Sequence, residues 1–390
     1  ASSAILHIAM AQFRGFLVLA MGVRADKTGD KRIAITVGDR EAPAQPEGFT
    51  ITVAPSTITV RGYDERGAKQ GLLFLEAKMR MRGAPILRLG EEHRTSRYPI
   101  RITCAPFGSG EELEDPIDPY TDGLLARISR GGFNAIWLTA WLDKVGQSSE
   151  FRELHAGVAH RQARLNDLIG RARRHGIDVY LDIKNRPMPE PFFVRHPEAR
   201  GSIMRAFGGV NVLCSSDPKV QEHLRSAARS LASNAPGLKG VVMGVGGEGF
   251  WNCWMRGENT CSRCVRRRPA DVAAELCRIV QEGIHAGSPA ASVAVWPYSA
   301  SNTWSKDDMI QSRLIAKLPG GVALLTEFDK EGAVTFGGVT VPAHDYSITI
   351  TGPSKRFIQH ATMARERGLP LWVKTEHAIS TELISTPYIP

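Results

Sequence analysis

Short apolar segments alternate with amphipathic ones from Ile100 onward, and this alternation constrains the fold more than any other feature of the chain. Seven apolar segments have the length of β-strands: Arg101–Cys104, Asn134–Leu138, Asp178–Ile183, Gly240–Val245, Ser292–Trp296, Val322–Thr326 and Leu371–Lys374. Amphipathic helices are predicted between them, including Asp122–Gly131, Gln162–His175, Pro218–Ser233, Pro269–Ala286 and Ser354–Arg367. Strands that alternate with helices form parallel βαβ units, so the pattern predicts an α/β fold.

A barrel explains this pattern better than an open sheet. An open doubly wound sheet usually carries a glycine-rich loop after its first strand, and Cys104-Ala105-Pro106-Phe107 is not one. The segment Asp345–Thr351 is a weaker candidate for an eighth strand. The sequence therefore predicts a TIM-type (β/α)8 barrel, which is incomplete at its C-terminus if that segment is only a loop extension.

The first ~95 residues have a different, α+β pattern. Lys31–Val37, Phe49–Val53 and Thr57–Arg61 alternate as strands do, and a helix is predicted over Glu65–Met81 with Asp64 before it as a cap. We therefore expect a small α/β domain at 1–95 and a barrel domain at 96–390, a division that fits the 390-residue length.

The composition is that of a soluble globular protein, with 43% hydrophobic and 23% charged residues. The apolar stretch Phe16–Val23 is far shorter than the ~20 residues of a membrane span, so we interpret it as a packed helix and strand and expect no membrane association. The sequence does not decide between a cytoplasmic protein and a secreted one whose leader has been removed. It also leaves homo-oligomer formation open.

The formal charge of +9 suggests an acidic partner, either an anionic glycan or a nucleic acid. The densest basic cluster, Arg263 with Arg266, Arg267 and Arg268, is more typical of a solvated surface. Helix-turn-helix, ribonucleoprotein and KH signatures are absent from the sequence, which makes nucleic acid the weaker choice.

Glu248 is the strongest catalytic candidate. It follows the strand Gly240–Val245 within Gly246-Gly247-Glu248-Gly249-Phe250-Trp251. The carboxyl ends of barrel strands form the active-site mouth, glycines let a ligand approach the backbone, and the aromatic pair offers a stacking surface. The alternative is an ion pair between Glu248 and an arginine at the barrel rim.

Glycoside hydrolysis needs a second carboxyl group. Glu327 and Glu376 follow the sixth and seventh predicted strands, and rim ion pairs with Lys330 or Lys374 are the alternative for them. Asp329 and Glu382 are weaker candidates.

Other strand ends carry groups suited to sugars. Indole and phenol rings stack on the C–H faces of sugars, although about half of such residues simply pack the core. The tryptophans and tyrosine concerned are Trp137, Trp141, Trp251, Trp254, Trp296, Tyr298 and Trp304, of which Trp141, Trp251, Trp296 and Tyr298 are the predicted substrate contacts. Lys184, Asn185 and Lys374 are predicted to contact hydroxyl groups or an acidic substituent, whereas Arg186 fits a structural ion pair equally well.

Three cysteines, Cys253, Cys261 and Cys264, fall in one loop after Glu248. The C-x-x-C pair suits tetrahedral zinc, with a fourth ligand from Cys104, Cys214, Cys277 or a histidine. Structural zinc, disulfides and free thiols all stay open, and no cofactor is expected to be needed for catalysis. Histidines show no metal-binding spacing, with His344 and His377 worth noting near strand ends.

Several short runs resemble known glycoside hydrolases. The front domain, with Phe49-Thr50-Ile51, Ile58-Thr59-Val60-Arg61-Gly62 and Gly67-Ala68-Lys69-Gln70-Gly71-Leu72, resembles the small α/β domain of family 20 β-N-acetylhexosaminidases and family 67 α-glucuronidases. The barrel resembles glycoside-hydrolase-like proteins at Gly246–Phe250, Cys261–Cys264, Asp345–Ser347 with Thr351–Pro353, Thr381-Glu382 and Pro387–Pro390.

The resemblance implies an exo-acting glycoside hydrolase with Glu248 as general acid and a second carboxylate as nucleophile, base or orienting group. Family 20 enzymes carry an Asp-Glu pair at this place, and here Gly247 replaces the Asp that orients the acetamido group. The resemblance also implies that the barrel continues past Pro390. Alternatives are a substrate-assisted β-N-acetylhexosaminidase-like enzyme, an α-glucuronidase-like enzyme acting on acidic glycans, and a non-catalytic glycan-binding barrel.

Overall fold

The structure, a computed structural model, describes residues 3–23, 29–104, 112–114, 116, 118–205, 208–247, 249–255, 260–298, 300, 304, 309–342 and 352–375. Its helices are α1 Ala4–Met21, α2 Glu65–Arg82, α3 Asp122–Arg130, α4 Leu142–Val145, α5 Val158–Arg174, α6 Glu190–Arg195, α7 Pro218–Asn234, α8 Pro269–Gly287, α9 Ile310–Lys317 and α10 Lys355–Glu366. Its strands are β1 Arg32–Val37, β2 Phe49–Val53, β3 Thr57–Gly62, β4 Gly90–Arg94, β5 Ile102–Cys104, β6 Ala135–Trp141, β7 Asp178–Lys184, β8 Arg200–Met204, β9 Val210–Leu213, β10 Leu238–Gly244, β11 Ser292–Trp296, β12 Ala323–Glu327, β13 Ala333–Phe336, β14 Val339–Pro342 and β15 Leu371–Lys374.

All seven strands predicted after Ile100 join one sheet in the order β15-β12-β11-β10-β7-β6-β5. Neighbours in the sheet are successive along the chain apart from inserted hairpins, and β10, β11, β12 and β15 pair in parallel. Short strands with helical crossovers produce this arrangement because each strand returns parallel to the last. The sheet is curled as in a half-barrel and fits a TIM-like barrel. The predicted eighth strand, Asp345–Thr351, lies outside the described residues.

The two faces of this sheet have different partners. On β12, Thr326 Oγ1 lies 2.9 Å from His360 Nδ1 of α10, so Thr326 points to the helix layer. Its neighbours Leu325 and Ala323 instead pack with Val242, Ala294 and Trp296 of the adjacent strands. Because side chains alternate along a strand, Glu327 shares the face of Leu325, which is the inner face of the curled sheet.

The chain divides into two compact units, and one of them comprises residues 1–103, 119–136 and 167–179. It contains a four-stranded sheet of order β1-β3-β2-β4, in which β1 and β3 are parallel and the other pairs are antiparallel. The sheet ends at Arg94, although the unit continues further along the chain. The domain boundary that the sequence predicts between residues 95 and 96 therefore stays a prediction. Within this unit, α2 is capped by Asp64, whose side chain accepts a hydrogen bond from Gly67 N at 2.6 Å.

The first helix differs from the sequence prediction. α1 continues to Met21 and ends at Gly22 in the left-handed conformation, so the predicted strand over its last residues is wrong. Phe13, Phe16 and Leu17 of α1 pack in a buried cluster with residues of β2, β3 and α2. By length and composition alone, α1 could cross a membrane, a criterion that soluble core helices and signal sequences also meet. This corrects the expectation that no segment reaches that length.

The second unit comprises residues 104–118, 137–166 and 180–390. It adds two antiparallel hairpins, β8–β9 and β13–β14, that the periodicity did not predict. β8–β9 follows β7, and β13–β14 follows β12. Both hairpins therefore extend loops at the carboxyl end of the parallel sheet, where a barrel places its functional groups.

Candidate active site and cysteine cluster

The inner face of the sheet is identified by an aromatic cluster. Trp137, Trp296 and Trp372 pack around Val242 and Leu325, and Tyr180 contacts Trp372 edge to face with ring centroids 5.5 Å apart. Alternation along each strand places further inner-face residues at or near the strand ends: Thr139 and Trp141 on β6, Asp182 and Lys184 on β7, Gly244 on β10, Glu327 on β12 and Lys374 on β15. Trp141, Lys184, Trp296, Glu327 and Lys374 were all predicted from the sequence.

The predicted catalytic loop follows β10, and Glu248 itself lies outside the described residues. Gly246 and Gly247 have φ values of 80° and 57°, a region that favours glycine. Gly246 N donates to Phe250 O at 2.9 Å, and Gly249 N donates to Gly246 O at the same distance. A Cβ atom on Gly249 would lie 2.1 Å from Gly244 O. The glycines thus allow a tight turn that returns the chain onto the end of its own strand.

Asn185 holds this loop. Its Nδ2 donates to Trp251 O at 2.9 Å, and its Oδ1 accepts a hydrogen bond from Trp251 N. The side chain is buried, and residue 185 also forms a parallel bridge with Phe250. The amide thereby fixes the loop to the end of β7. A sugar contact by Asn185 stays a prediction, with both ends of its amide already bonded to the loop backbone.

The side chain of Trp251 is buried, and its backbone is held by Asn185. Its side chain is 7% exposed and packs with Met204, Val212 and the cysteines of the same loop. Trp251 therefore belongs to the cluster that contains the cysteines and Trp296 to the cluster on the inner face of the sheet, although the sequence predicted both as sugar platforms. A stacking role for Trp251 stays a prediction.

Trp296 and Tyr298 form an aromatic pair after β11. Their ring centroids are 4.4 Å apart at 45°, and Tyr298 has the unusual φ of 22°. Two ammonium groups flank the pair, with Lys374 Nζ 5.1 Å from the Trp296 centroid and Lys330 Nζ 5.6 Å from that of Tyr298. Cations over rings are attracted by the π-electron density and hold the rings in place.

Glu327 is buried beside two cations. Its Oε2 accepts a hydrogen bond from Arg356 Nη2 at 2.7 Å, and Oε1 lies 3.6 Å from Lys330 Nζ. Burial raises the pKa of Glu327, but Arg356 and Lys330 outweigh it, so the pKa lies below the usual 4.5. Glu327 is therefore an anion at neutral pH. The alternative partner named from the sequence, Lys330, is present, but Arg356 is nearer.

Asp182 was not predicted. It lies on the inner face of β7, where Thr139 Oγ1 donates to its Oδ2 at 3.3 Å and Lys184 Nζ lies 3.8 Å from the same atom. Burial, with a smaller contribution from the buried Glu112 carboxylate, raises the pKa of Asp182 to about 6 against the opposing effects of Lys184 and the Thr139 hydroxyl. The available signal was an acidic residue among the hydrophobic interior residues of the strand Asp178–Lys184, at an inward position.

Among the described residues, the remaining candidates do not gather in one place. Trp304 is fully buried, and Trp141 and Trp254 are half-buried. Arg186 Nη2 lies 2.7 Å from Asp143 Oδ2, which is the structural ion pair named as one alternative for it. Several candidates lie outside the described residues: Glu376, Glu382, His344 and His377.

Four buried cysteines, Cys214, Cys253, Cys261 and Cys264, gather within the second unit. Their sulfur atoms all lie within 4.8 Å of one another, with Cys214 Sγ 3.5 Å from Cys261 Sγ and 3.7 Å from Cys264 Sγ. Tetrahedral zinc with Zn–S bonds of ~2.3 Å separates its sulfurs by roughly 3.8 Å. The four thiols could therefore hold a metal ion. Cys214, directly after β9, is the residue that the fold brings to the other three, from the cysteines and histidines considered for the fourth ligand.

The groups around the cluster suit thiolates. Arg263 Nε donates to Cys214 Sγ at 3.3 Å, and Ser216 Oγ lies 3.2 Å from Cys264 Sγ. Hydrogen bonding from the Cys253 thiol lowers the pKa of Cys214 to about 7. None of the four cysteines, nor the buried Cys277, forms a disulfide in the described part of the chain, so the disulfide alternative is not realised among these five.

Comparison with solved structures agrees with this fold. A GH138 enzyme targeting pectin rhamnogalacturonan II is similar over 86% of this chain and 38% of its own length (TM-score 0.58, 13% identity). The GH20 β-N-acetylhexosaminidase from Streptomyces coelicolor A3(2) is similar over 96% of this chain and 69% of its own (TM-score 0.54, 14% identity). The β-N-acetylhexosaminidase from Bacteroides fragilis NCTC 9343 is similar over 94% and 69% (TM-score 0.51, 14% identity).

At these identities the similarity shows the fold alone. The chain has a glycoside-hydrolase-like fold, as predicted, and spans little more than a third of the GH138 enzyme's length. No protein-family model and no curated protein matches the sequence.

Proposed function

We propose that the protein is an exo-acting glycoside hydrolase with Glu248 as its general acid. The observation that carries the proposal is the set of inner-face side chains at the strand ends, which combines buried carboxylates, lysines and a tryptophan–tyrosine pair. This set lies where TIM-barrel enzymes place their active sites, in a fold shared with glycoside hydrolases. Glu248 follows the central strand of that set within a turn built from glycines.

Each neighbouring group has a proposed role. Glu327 is held as an anion by Arg356, so it serves as the orienting group or as the nucleophile or base, and Glu376 is the other sequence candidate for these roles. Trp296 and Tyr298 form the sugar platform. Lys184 and Lys374 contact hydroxyl groups or a sugar carboxylate. The low dielectric of a closed mouth raises the pKa of a carboxylic acid and keeps it protonated near neutrality.

Two substrate classes follow from separate observations. The lysines at 184, 330 and 374 favour an acidic sugar, because an ammonium group pairs with a carboxylate. Two of the similar structures are β-N-acetylhexosaminidases, which favours an N-acetylated sugar. Gly247 weakens the second choice, since no carboxylate precedes Glu248 to orient an acetamido group.

Glu248→Gln tests the acid. It should lower kcat/KM about 10²–10⁴-fold on an aryl glycoside with a poor leaving group, and much less with dinitrophenol, which departs without a proton. The panel should include uronic acid and N-acetyl forms. Glu366→Gln, on the exposed side of α10, is the matched control. Near-native turnover by Glu248→Gln overturns the assignment, and tight sugar binding without turnover by the wild type favours a glycan-binding barrel.

We also propose that the four cysteines bind structural zinc. The thiol separations and the arginine beside Cys214 support a closed tetrathiolate site, which is structural rather than catalytic. Elemental analysis should give about one zinc per chain. Cys264→Ser should lose most of the metal, whereas Cys277→Ser, a buried cysteine outside the cluster, should retain it.

A further inference from the structure

Asp182 lies in the predicted substrate site but has no role in the function proposed so far. It shares the inner face of β7 with Lys184 above it and Tyr180 below it, and Tyr180 contacts Trp372 across that face. About 15% of the Asp182 side chain is exposed, so its carboxylate is enclosed but open to a molecule entering the site. On the neighbouring strand β10, the inner-face residue is Gly244, and the rings of Trp296 and Tyr298 come within 3.6 and 4.0 Å of where its Cβ atom would lie.

The charges around Asp182 differ from those around Glu327. Glu327 accepts a direct hydrogen bond from a guanidinium at 2.7 Å and has a second cation at 3.6 Å. Asp182 accepts from the neutral Thr139 hydroxyl, and the ammonium group of Lys184 lies 3.8 Å from its carboxylate. The buried Glu112, whose Oε1 accepts from Thr139 N at 3.3 Å, adds a like charge.

These surroundings suit the two carboxylates to different tasks. A carboxylate neutralised by arginine holds its negative charge and binds a proton poorly. A carboxylate that is desolvated beside another carboxylate binds a proton readily, and general bases work best when they titrate near the working pH. With a pKa of about 6, Asp182 is mostly ionised at pH 7 but is basic enough to accept a proton.

We propose that Asp182 is the second catalytic carboxylate, the general base that takes the proton from the attacking water. The inference rests on the proposed function. Water oxygen bonds to the anomeric carbon as the bond to the leaving oxygen breaks. The leaving oxygen takes the proton of Glu248, and Asp182 takes a proton from the water. Both carboxyl groups then return to their starting states by exchanging protons with solvent. Such a direct displacement inverts the anomeric configuration.

The test uses the aryl glycoside that the wild type hydrolyses. Asp182→Asn keeps the shape and the Thr139 contact but cannot accept a proton. We expect its kcat to fall about 10²–10⁴-fold for good and poor leaving groups alike, and the acidic limb of the wild-type pH profile, near pH 6, to disappear. Asp182→Ala should recover activity with azide, which occupies the vacated space and yields a glycosyl azide. Thermal unfolding of both variants controls for folding.

The outcomes distinguish a failure of the base assignment from a failure of the proposed glycosidase function. An active wild type whose Asp182→Asn variant keeps the acidic limb overturns the base assignment and leaves the glycosidase intact. Retention of configuration, followed by NMR of the first-formed product, does the same. A wild type that hydrolyses no glycoside of the panel overturns both. Loss of the acidic limb in folded Asp182→Asn, together with azide rescue of folded Asp182→Ala, supports Asp182 as the base. The Glu366→Gln control should match the wild type in the pH profile, the response to azide and the product configuration.

Discussion

The ion pair of Glu327 and Arg356 offers a quantitative test of the site. Both side chains are nearly fully buried, with 2% and 7% exposed. Arg356→Met removes the guanidinium and leaves a carboxylate that has been taken out of water. Removing one partner of a buried pair costs about 3–5 kcal/mol. Lys330 remains 3.6 Å from Glu327 Oε1, so we expect the lower end, about 3 kcal/mol of unfolding free energy at pH 7.

The sign of the pH dependence follows from the pKa of Glu327. It lies below 4.5 in the folded protein, so the pair stabilises the fold above about pH 4.5 and this stabilisation is lost as the pH falls further. In Arg356→Met, burial without the guanidinium raises that pKa. The difference in stability between wild type and variant should therefore be largest near pH 7 and should shrink toward pH 4.

Urea unfolding of four proteins provides the measurement: wild type, Arg356→Met, Glu327→Gln and the double variant. A neutral pair leaves no buried charge, so the double variant should be more stable than Arg356→Met, with a coupling energy of about 2 kcal/mol. Additive single effects, or a deficit that does not shrink at low pH, would refute the reasoning. In that case the two side chains are not energetically paired.

Two further predictions concern the loop and the outer face of the sheet. Asn185→Ala removes two hydrogen bonds and leaves a buried N–H and C=O of Trp251 without the amide, so the unfolding free energy should fall by about 2–4 kcal/mol, measured by urea unfolding. Unchanged stability would show that the amide does not hold the loop. Burial lowers the pKa of His360 to about 4, so its contribution is complete above its unfolded pKa of about 6.5 and is lost as the pH falls toward 4, by at most about 3 kcal/mol. His360→Gln should flatten the stability profile across that window, and an unchanged slope would contradict this.

The parallel sheet could be predicted because its signal is local and repeated. Each strand is a short apolar run and each crossover an amphipathic helix, so all seven strands were located within about three residues. β4 was not predicted, since its sequence Gly90–Arg94 is polar and only pairing with β2 makes it a strand. The hairpin β13–β14 was missed for a related reason. Val339–Pro342 and Ala333–Phe336 stabilise each other by backbone pairing rather than by burying an apolar face.

The sequence predicted where the site residues lie better than it predicted which residues they contact. Alternation put Lys184, Trp296 and Glu327 on one face, as their strand-end positions indicated. Arg356, which neutralises Glu327, lies on α10, 29 residues further along the chain, and no sequence pattern indicated this pairing. Asp182 was overlooked because its raised pKa depends on burial and on Glu112, which is far away in sequence. Cys214 likewise reaches the other thiols only through the β8–β9 hairpin.

The double attachment of Trp251 has a consequence for how the site can adapt. Its backbone is fastened to the end of β7 through Asn185, and its side chain is sealed against the cysteine cluster. A segment tied to two separate supports cannot swing as a lid, so the glycine turn before it works as a fixed wall. If the proposed function holds, we expect substrate choice to respond to changes in the hairpin after β12, where the Phe336 side chain is 86% exposed, more than to changes in this turn.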